Sequence, residues 1–158
     1  MRFDILTLFP DMVKAVLGES IIGRATENKK IELNYINIRD FADNRHNRVD
    51  DYPYGGGSGM VMQPMPIYNA YMSVAENVDK KPYVIYMSPQ GKVFTQNDAV
   101  RLSQKKHIVL LIWLKSVIQK PSHLLHLVKR LKVNIEIEKA IVISLFLFFS
   151  YENIFIKK

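Results

Sequence analysis

Short apolar runs alternate with helix-like patterns along the first 112 residues, and this alternation limits the possible folds more than any other feature. Apolar runs of this length, bounded by Pro, Gly or charged residues, are typical of buried strands. Four runs predict strands, at residues 3–8, 31–36, 83–87 and 107–114. Because strands that alternate with helices usually form parallel βαβ units, the sequence predicts an α/β fold with a mostly parallel sheet and flanking helices.

Four helices are predicted between these strands, over residues 11–17, 20–27, from 64 onward and 96–104. Asp11 is placed to cap the first helix, with Gly18 as its stop signal. Thr95 and Asp98 have the spacing of a capping box for the last helix. Residues 37–60, rich in charge, Asn and Gly, predict a long loop. A loop of that length in a compact domain is usually functional or disordered.

The composition changes near residue 100. Residues 101–158 contain eleven Lys and Arg against three Glu, a net charge of +8, whereas residues 1–100 contain eleven against twelve, a net charge of −1. All seven glycines lie at or before Gly91. We therefore divide the chain into residues 1–112 and a basic, glycine-free tail, residues 113–158. From Pro121 the tail predicts an amphipathic helix with a basic face, which is either an RNA-binding surface or a solvated face.

Other features bound the class of protein. Cysteine is absent, which excludes disulfides and cysteine nucleophiles and is compatible with a reducing cytoplasm. The start of the chain lacks the zones of a secretory signal, and the longest nearly uninterrupted apolar run, residues 140–149, is shorter than the roughly 20 residues of a membrane-spanning helix. His107, His123 and His126 have no carboxylate at metal-ligand spacing. We expect a soluble cytoplasmic protein without a metal or a membrane partner.

The first segment that could carry chemistry is residues 45–60. Clustered glycines allow backbone N–H groups to converge on an anion, Arg45 and Arg48 add positive charge, and Asp50 and Asp51 can accept hydrogen bonds from base N–H groups. These properties suit a nucleotide cradle, although a flexible surface turn has a similar composition. His46 could carry a proton, but in a polar loop it is more often a solvated side chain.

The second segment is residues 86–91, directly after an apolar strand. Ligands in open α/β sheets bind in the crevice at the carboxyl ends of the strands, so a loop of small residues there is a candidate ligand site. A tight strand-to-helix turn would use the same Pro and Gly, and the residues by themselves leave both interpretations open.

Together these segments resemble the TrmD family of the SPOUT, or α/β-knot, methyltransferases. The matching stretches are residues 6–10, 22–25, 37–41, 49–51, 53–60 and 88–91, in the family's order and at its spacing. The resemblance implies a SPOUT-like fold and transfer of a methyl group from S-adenosyl-L-methionine to N1 of the guanine beside the tRNA anticodon. It also implies a homodimer with tRNA as partner.

Position by position, the resemblance implies roles for two groups of residues. The first would bind the cofactor: Tyr86, Met87, Ser88, Pro89 and Gly91. The second would bind the tRNA guanine and nearby phosphates: Asp50, Gly55, Gly56, Gly57, Ser58 and Gly59.

The chain departs from the family pattern after residue 111. Family members continue with glycine-rich segments that form the knot, whereas residues 112–117 here read Ile-Trp-Leu-Lys-Ser-Val and the pattern does not return, so we expect the knot segment to be altered or absent. The family's catalytic aspartate and arginine, placed further downstream, have no counterpart, and we predict no catalytic residue. Removal of the guanine N1 proton requires a base, and nothing marks any glutamate of the tail for that role.

Three interpretations of the tail stay open. The chain is a truncated or altered methyltransferase, or it is a catalytically inactive remnant that binds RNA. A shifted reading frame in an AT-rich gene would also replace Gly and Asp by Ile, Leu, Phe and Lys, as the tail does.

Overall fold

The structure, a computed structural model, describes residues 1–52, 60–76, 78, 80–112 and 138–140, with the backbone alone at residues 88–90 and 138–140. The described strands are β1 (Arg2–Thr7), β2 (Glu32–Asn37), β3 (Asp50–Asp51), β4 (Val61–Met62), β5 (Tyr83–Lys92), β6 (His107–Ile112) and β7 (Glu138–Ala140). The described α-helices are α1 (Pro10–Leu17), α2 (Ser20–Glu27), α3 (Pro64–Ala75) and α4 (Gln96–Ser103), and a 3-10 helix spans Ile38–Phe41.

Five of these strands form one sheet in the order β2-β1-β6-β5-β7, and every described pairing within it is parallel. β3 and β4 pair separately as a short antiparallel ribbon. The predicted α/β fold with a mostly parallel sheet is confirmed. Helices connect the parallel strands, because a parallel pair needs a crossover rather than a tight turn.

Side chains of the central strands alternate between two apolar clusters, one on each face of the sheet. Phe3 and Ile5 pack on one face, and Leu6 packs on the other. Helices α1, α2 and α4 cover the first face, and α3 with the 3-10 helix covers the second. A sheet covered on both faces explains why its strands are nearly continuous apolar runs rather than alternating sequences.

The close approach of α1 and α2 depends on glycine. A Cβ atom built on Gly23 would lie 2.2 Å from the Gly18 carbonyl oxygen, a distance that requires the backbone to move. Gly18 is the residue at which α1 ends, as predicted, and its φ is −76°. Its N–H donates to the Lys14 carbonyl oxygen at 2.8 Å.

The prediction that Asp11 caps α1 is wrong. The helix begins one residue earlier, at Pro10, with Phe9 as its N-cap and no side-chain cap bond. Proline has the φ of a helical first turn and lacks the N–H that would otherwise be unsatisfied there. α2 begins at Ser20 and ends at Glu27, as predicted.

Two other boundaries differ from the sequence prediction. Residues 37–60 are not one long loop, since they contain the 3-10 helix, in which Ile38 is fully buried, and β3. The predicted loop at 88–91 belongs to β5, which continues to Lys92. Three residues of the tail, Glu138–Ala140, form the edge strand β7. The predicted helix from Pro121 lies outside the described residues.

Candidate functional site

Three of the sequence stretches singled out above follow strand ends at one edge of the sheet. Residues 6–10 contain the end of β1, residues 37–41 follow β2, and residues 88–91 lie at the end of β5. Because these strands are parallel, their carboxyl ends meet at the same edge. The fold therefore brings stretches that are separated by some 80 positions in the chain to one edge of the sheet, the edge at which open α/β sheets bind ligands.

Side chains hold the chain in place where it leaves β1 and β2. Thr7 is 1% exposed, and its hydroxyl accepts a hydrogen bond from the Phe9 N–H at 3.2 Å. The Asn37 side chain accepts from the Arg39 N–H at 3.1 Å and caps the 3-10 helix. Phe9 remains 45% exposed beside this edge. Both turns are thus fixed by side-chain to backbone hydrogen bonds.

Of the predicted cofactor residues, Tyr86 and Met87 are buried in the core. Tyr86 packs in the cluster on the α3 side of the sheet, and Met87 packs in the cluster on the opposite side. Successive strand residues point to opposite faces, so these two side chains cannot face one ligand together.

Ser88, Pro89 and Gly91 lie where the ladder of β5 is interrupted. Met87 and Lys92 are both register partners of Ala140, so the four residues between them bulge from the pairing with β7. Bulges interrupt the backbone ladder and are common next to active sites. The side chains of Ser88 and Pro89 lie outside the described residues.

The end of this bulge is anchored to α4 through Asp98. The Lys92 ammonium group donates to Asp98 Oδ1 at 2.9 Å, and Arg101 Nη2 donates to the same oxygen at 3.2 Å. Thr95 donates to Asp98 Oδ2 from its hydroxyl at 2.8 Å and from its backbone N–H at 3.1 Å. The Asp98 N–H in turn donates to the Thr95 hydroxyl, which confirms the predicted capping box.

These contacts lower the pKa of the Asp98 carboxyl well below its usual range. The hydrogen bond from Lys92 is the largest cause, and the bonds from Thr95 and Arg101 act in the same direction, whereas burial opposes them. The carboxylate therefore stays charged and keeps Lys92 next to the helix N-terminus. Since Lys92 directly follows the bulge, this pairing fixes where residues 88–91 rejoin the sheet.

Asp50, the predicted guanine-binding residue, is half-buried at the start of the short ribbon. It pairs with Met62, and Asp51 pairs with Val61. These pairings hold both ends of the glycine-rich loop side by side. Gly55, Gly56, Gly57, Ser58 and Gly59 lie outside the described residues.

The segment before Asp50 is ordered by Asn44 and Val49. The Asn44 side chain accepts from the Arg48 N–H and donates to the Arg48 carbonyl oxygen, both at 2.7 Å. Val49 is 1% exposed, and its carbonyl oxygen accepts from the Gln63 N–H at 2.7 Å. His46 lies exposed on this loop, and its backbone N–H donates to Asn44.

One apolar cluster joins the two predicted sites. Val49, which precedes Asp50, and Tyr86, which precedes the bulge, both belong to the cluster on the α3 side of the sheet, together with Ile38. The buried residues next to the predicted guanine site and those next to the predicted cofactor site therefore pack in the same apolar cluster. Val49 and Tyr86, which both pack in this cluster, are 37 positions apart in the sequence.

A buried polar cluster at the opposite edge of the sheet was not predicted. Asp4 is fully buried, and its carboxylate accepts from Arg2 Nε at 3.1 Å and Asn34 Nδ2 at 2.8 Å and contacts His107 Nε2 at 2.5 Å. A charged residue inside an apolar strand was the available signal, because a buried charge requires partners. The cluster lies at the amino ends of β1 and β6, away from the predicted ligand edge.

The described part of the chain contains no group of three side chains able to hold a metal ion. Within the same residues, no helix is long and apolar enough to cross a membrane.

Comparison with known proteins identifies tRNA methyltransferases among the relatives of this chain. The sequence model of the family described as "tRNA (Guanine-1)-methyltransferase TrmD" matches residues 1–113. A protein of Ruminiclostridium cellulolyticum named tRNA (guanine-N(1)-)-methyltransferase is 55% identical over 111 residues, which cover 70% of this chain and 48% of the relative. A protein of Bacillus cereus with the same name is 48% identical over 109 residues, 69% of this chain and 45% of the relative.

A solved structure shares the fold. The crystal structure of tRNA (m1G37) methyltransferase from Aquifex aeolicus matches with a TM-score of 0.64 and 39% sequence identity, over 70% of this chain and 50% of that chain. The present chain thus spans about half the length of the relatives it matches.

Proposed function

The chain belongs to the TrmD family of tRNA (guanine-1)-methyltransferases, and from this premise we propose that residues 1–112 form the methyl-donor and guanine-binding part of such an enzyme. The substrate would be tRNA, and the product would carry a methyl group on N1 of the guanine beside the anticodon. A cytoplasmic location and a homodimeric assembly belong to the same proposal. The observation that carries it is the convergence of residues 6–10, 37–41 and 88–91 at the carboxyl edge of the sheet.

The methyl donor in this proposal is S-adenosyl-L-methionine, whose sulfonium supplies an electrophilic methyl group. The bulge in β5 fits such a ligand, since the backbone between Met87 and Lys92 leaves the regular ladder at the ligand edge. The segment formed by Tyr86, Met87, Ser88, Pro89 and Gly91 would hold the donor, through the backbone of the bulge that follows Met87. The Lys92–Asp98 pair would fix the end of that segment.

Asp50 would accept a hydrogen bond from a guanine N–H group. The strand pairing of Asp50 with Met62 holds the backbone of Asp50 in place, and the glycine loop would meet adjacent phosphates through backbone N–H groups. A base that removes the N1 proton is part of the reaction, and we propose no residue of this chain for that role.

Cofactor binding is tested with the purified chain and S-adenosyl-L-methionine by equilibrium dialysis. Gly91→Trp should abolish binding, because the indole would occupy the strand-end crevice. Val93→Trp is the matched control, since Val93 is 67% exposed and the same bulk would point into solvent. Equal binding by both variants would contradict the proposed cofactor segment.

Guanine recognition is tested by competition between a tRNA with guanine beside the anticodon and one without it. Asp50→Ala should reduce the preference for the first tRNA more than it reduces total binding, because base contacts specify and phosphate contacts position. Asp43→Ala removes an exposed carboxylate from the same loop and should leave the preference unchanged. A wild-type chain that binds both tRNAs equally would remove the guanine-binding role.

The alternative function is an RNA-binding module without turnover. The sequence feature that favours it is the tail, residues 113–158, which contains no glycine and does not continue the family pattern. Binding of tRNA without methyl transfer, and without binding of S-adenosyl-L-methionine, would select this alternative.

A further inference from the structure

Lysine pairs precede three of the parallel strands. Each pair lies in the connection that enters β2, β5 or β6, so all three pairs lie at the amino edge of the sheet. We call this group the basic rim; its members are Lys29, Lys30, Lys80, Lys81, Lys105 and Lys106. Arg2 begins β1 between the pairs of β2 and β6, because the strand order is β2-β1-β6-β5.

The side chains of the basic rim are available to a ligand. Five of the six lysines are exposed, and the sixth, Lys105, is half-buried with its ammonium group 5.0 Å from the centre of the Tyr83 ring. Among the residues that the structure describes, no carboxylate forms an ion pair with any of the six. These charges are therefore not neutralised within the described fold.

The acidic residues near the basic rim do not compensate for it. Glu32 lies beside Lys30 but accepts a hydrogen bond from Asn34 at 3.1 Å, and the buried Asp4 is held by Arg2, Asn34 and His107. Glu27 and Glu76 are the other described carboxylates close in sequence to the lysine pairs, and within the described residues neither forms an ion pair with them. Residues 1–112, which contain all six lysines, hold fourteen Lys and Arg against twelve Asp and Glu, a net charge of +2, so the concentration of positive charge at this edge is a product of the fold more than of the composition.

The spacing of the basic rim suits an extended polyanion. Neighbouring strands lie about 4.8 Å apart, so the three intervals from β2 to β5 spread the lysine pairs over roughly 14 Å. A six-residue strand is about 20 Å long, which separates the basic rim by that distance from the carboxyl edge. A ligand on the rim thus lies outside the proposed methyl-transfer site.

We propose that the basic rim binds the phosphate backbone of tRNA, at a part of the molecule away from the guanine that the carboxyl edge recognises. The identity of the RNA rests on the proposed function, whereas the surface itself does not. Lysines are flexible point charges, which suit phosphates but read no sequence. Binding would release the cations condensed on the phosphates that the lysines neutralise, and it would therefore weaken steeply as salt is raised.

The test is fluorescence anisotropy of labelled tRNA with the full 158-residue chain, between about 50 and 200 mM salt. The variants carry Lys30→Gln, Lys81→Gln and Lys106→Gln together, and a second set carries Glu at the same positions. Each phosphate contact contributes about 0.7 to 0.9 to the salt slope, so the Gln set should lower the slope by about 2 to 3. At the lowest salt the affinity should fall about tenfold or more.

A single-charge comparison provides the control. Lys14→Glu lies on the exposed side of α1 and makes the same change in net charge as Lys81→Glu. Lys81→Glu should weaken binding more than Lys14→Glu, because only the former removes a phosphate contact. The basic tail is present in every variant, so its contribution cancels in each comparison. Circular dichroism verifies that the variants are folded.

The outcomes separate this proposal from the function on which it rests. If tRNA affinity depends equally on salt concentration in the wild type and in the Gln set, the proposed phosphate binding is wrong. It is also wrong if the wild-type chain binds no tRNA at low salt. A loss that depends on the base beside the anticodon would also overturn it, because phosphate contacts are blind to sequence. Unchanged tRNA binding, with loss of binding to vesicles of anionic lipid, would identify a membrane surface instead. Another outcome is that Asp50→Ala leaves the guanine preference unchanged while the rim variants lower the salt dependence of tRNA affinity. That pair of results would support phosphate binding by the basic rim and would contradict the proposed guanine site.

Discussion

Removal of the Asp98 carboxylate should destabilise the fold by about 2 kcal/mol. Asp98→Ala breaks half of the capping box with Thr95, and loss of a helix cap typically costs about 1 kcal/mol. It also removes the ion pairs to Lys92 and Arg101, whose side chains are 54% and 42% exposed. Solvent screening limits each of these pairs to between about 0.2 and 1 kcal/mol.

The effect should depend on pH in a defined direction. The pKa of Asp98 is lower in the folded chain than in the unfolded chain, where it is about 3.9. Its contribution to stability is therefore complete above that unfolded value and is lost as the pH falls through the folded value. The difference between the wild type and Asp98→Ala should be constant from neutral pH to about pH 5 and should shrink below about pH 4.

Urea unfolding followed by circular dichroism measures this difference, because urea leaves the ionic strength unchanged. Thr95→Ala is the matched variant: it removes the same cap but leaves Asp98 paired with Lys92 and Arg101. It should cost about 1 kcal/mol and should retain a pH dependence in acid. A difference for Asp98→Ala below about 0.5 kcal/mol at neutral pH, or one that persists unchanged in strong acid, would refute this account of the network.

Three further predictions concern the core, the helix packing and the activity. Asp4→Ala should lower the free energy of unfolding by about 1–3 kcal/mol, because it leaves the half-buried His107 ring nitrogen without this partner and removes one of the two acceptors of the Asn34 amide. Urea unfolding measures the change, and a cost no larger than that of the exposed control Asp11→Ala would contradict it. Gly23→Ala should lower the Tm by roughly 4–8 °C in a calorimetric scan, because the added Cβ would overlap the Gly18 carbonyl oxygen. An unchanged Tm would show that the backbone moves apart without loss of stability. The chain as written should bind S-adenosyl-L-methionine weakly and show no measurable methyl transfer. Misplacement of the methyl donor by about 1 Å lowers the reaction rate on the order of a hundredfold, and absence of a general base lowers it roughly a hundred- to ten-thousandfold more. A radiolabelled-methyl assay on unmodified tRNA measures this, and robust turnover that disappears on Gly91→Trp would refute it.

Local patterns were sufficient to predict the features that neighbouring residues determine. The apolar run around Phe3 and Ile5 identified β1, and the Thr95–Asp98 spacing identified the start of α4. The start of α1 was wrong by one residue, because the preference of Pro10 for the first turn outweighs the capping ability of Asp11. Both signals lie in adjacent residues, and the sequence does not show which one dominates.

The extent of β5 could not be predicted locally. Ser88, Pro89 and Gly91 are typical turn residues, and a strand continues through them because Ala140 pairs on both sides of the bulge. The partner lies about fifty positions away in a tail whose composition gave no reason to expect a strand next to β5. Strand boundaries at a sheet edge therefore depend on a partner that local sequence does not reveal.

The polar cluster around Asp4 shows the same dependence over a greater separation. Asn34 and His107 lie 30 and 103 positions from Asp4, and the parallel register of β1 with β2 and β6 brings them together. Asp4 alone could indicate that β1 contains a buried charge needing partners, but it could not indicate which residues they are.

Parallel topology also explains how one domain can carry two separate surfaces. In the described part of the five-stranded sheet, the chain leaves each strand at the carboxyl edge and enters each strand at the amino edge, about 20 Å away. Residues of consecutive connections thus collect into two groups without being adjacent in the sequence. Changes in the Lys80–Lys81 connection should therefore alter RNA affinity while leaving guanine preference intact, and changes at Asp50 should do the reverse. Because the sheet between the two edges is buried on both faces, neither group of substitutions needs to disturb the packing that supports the other.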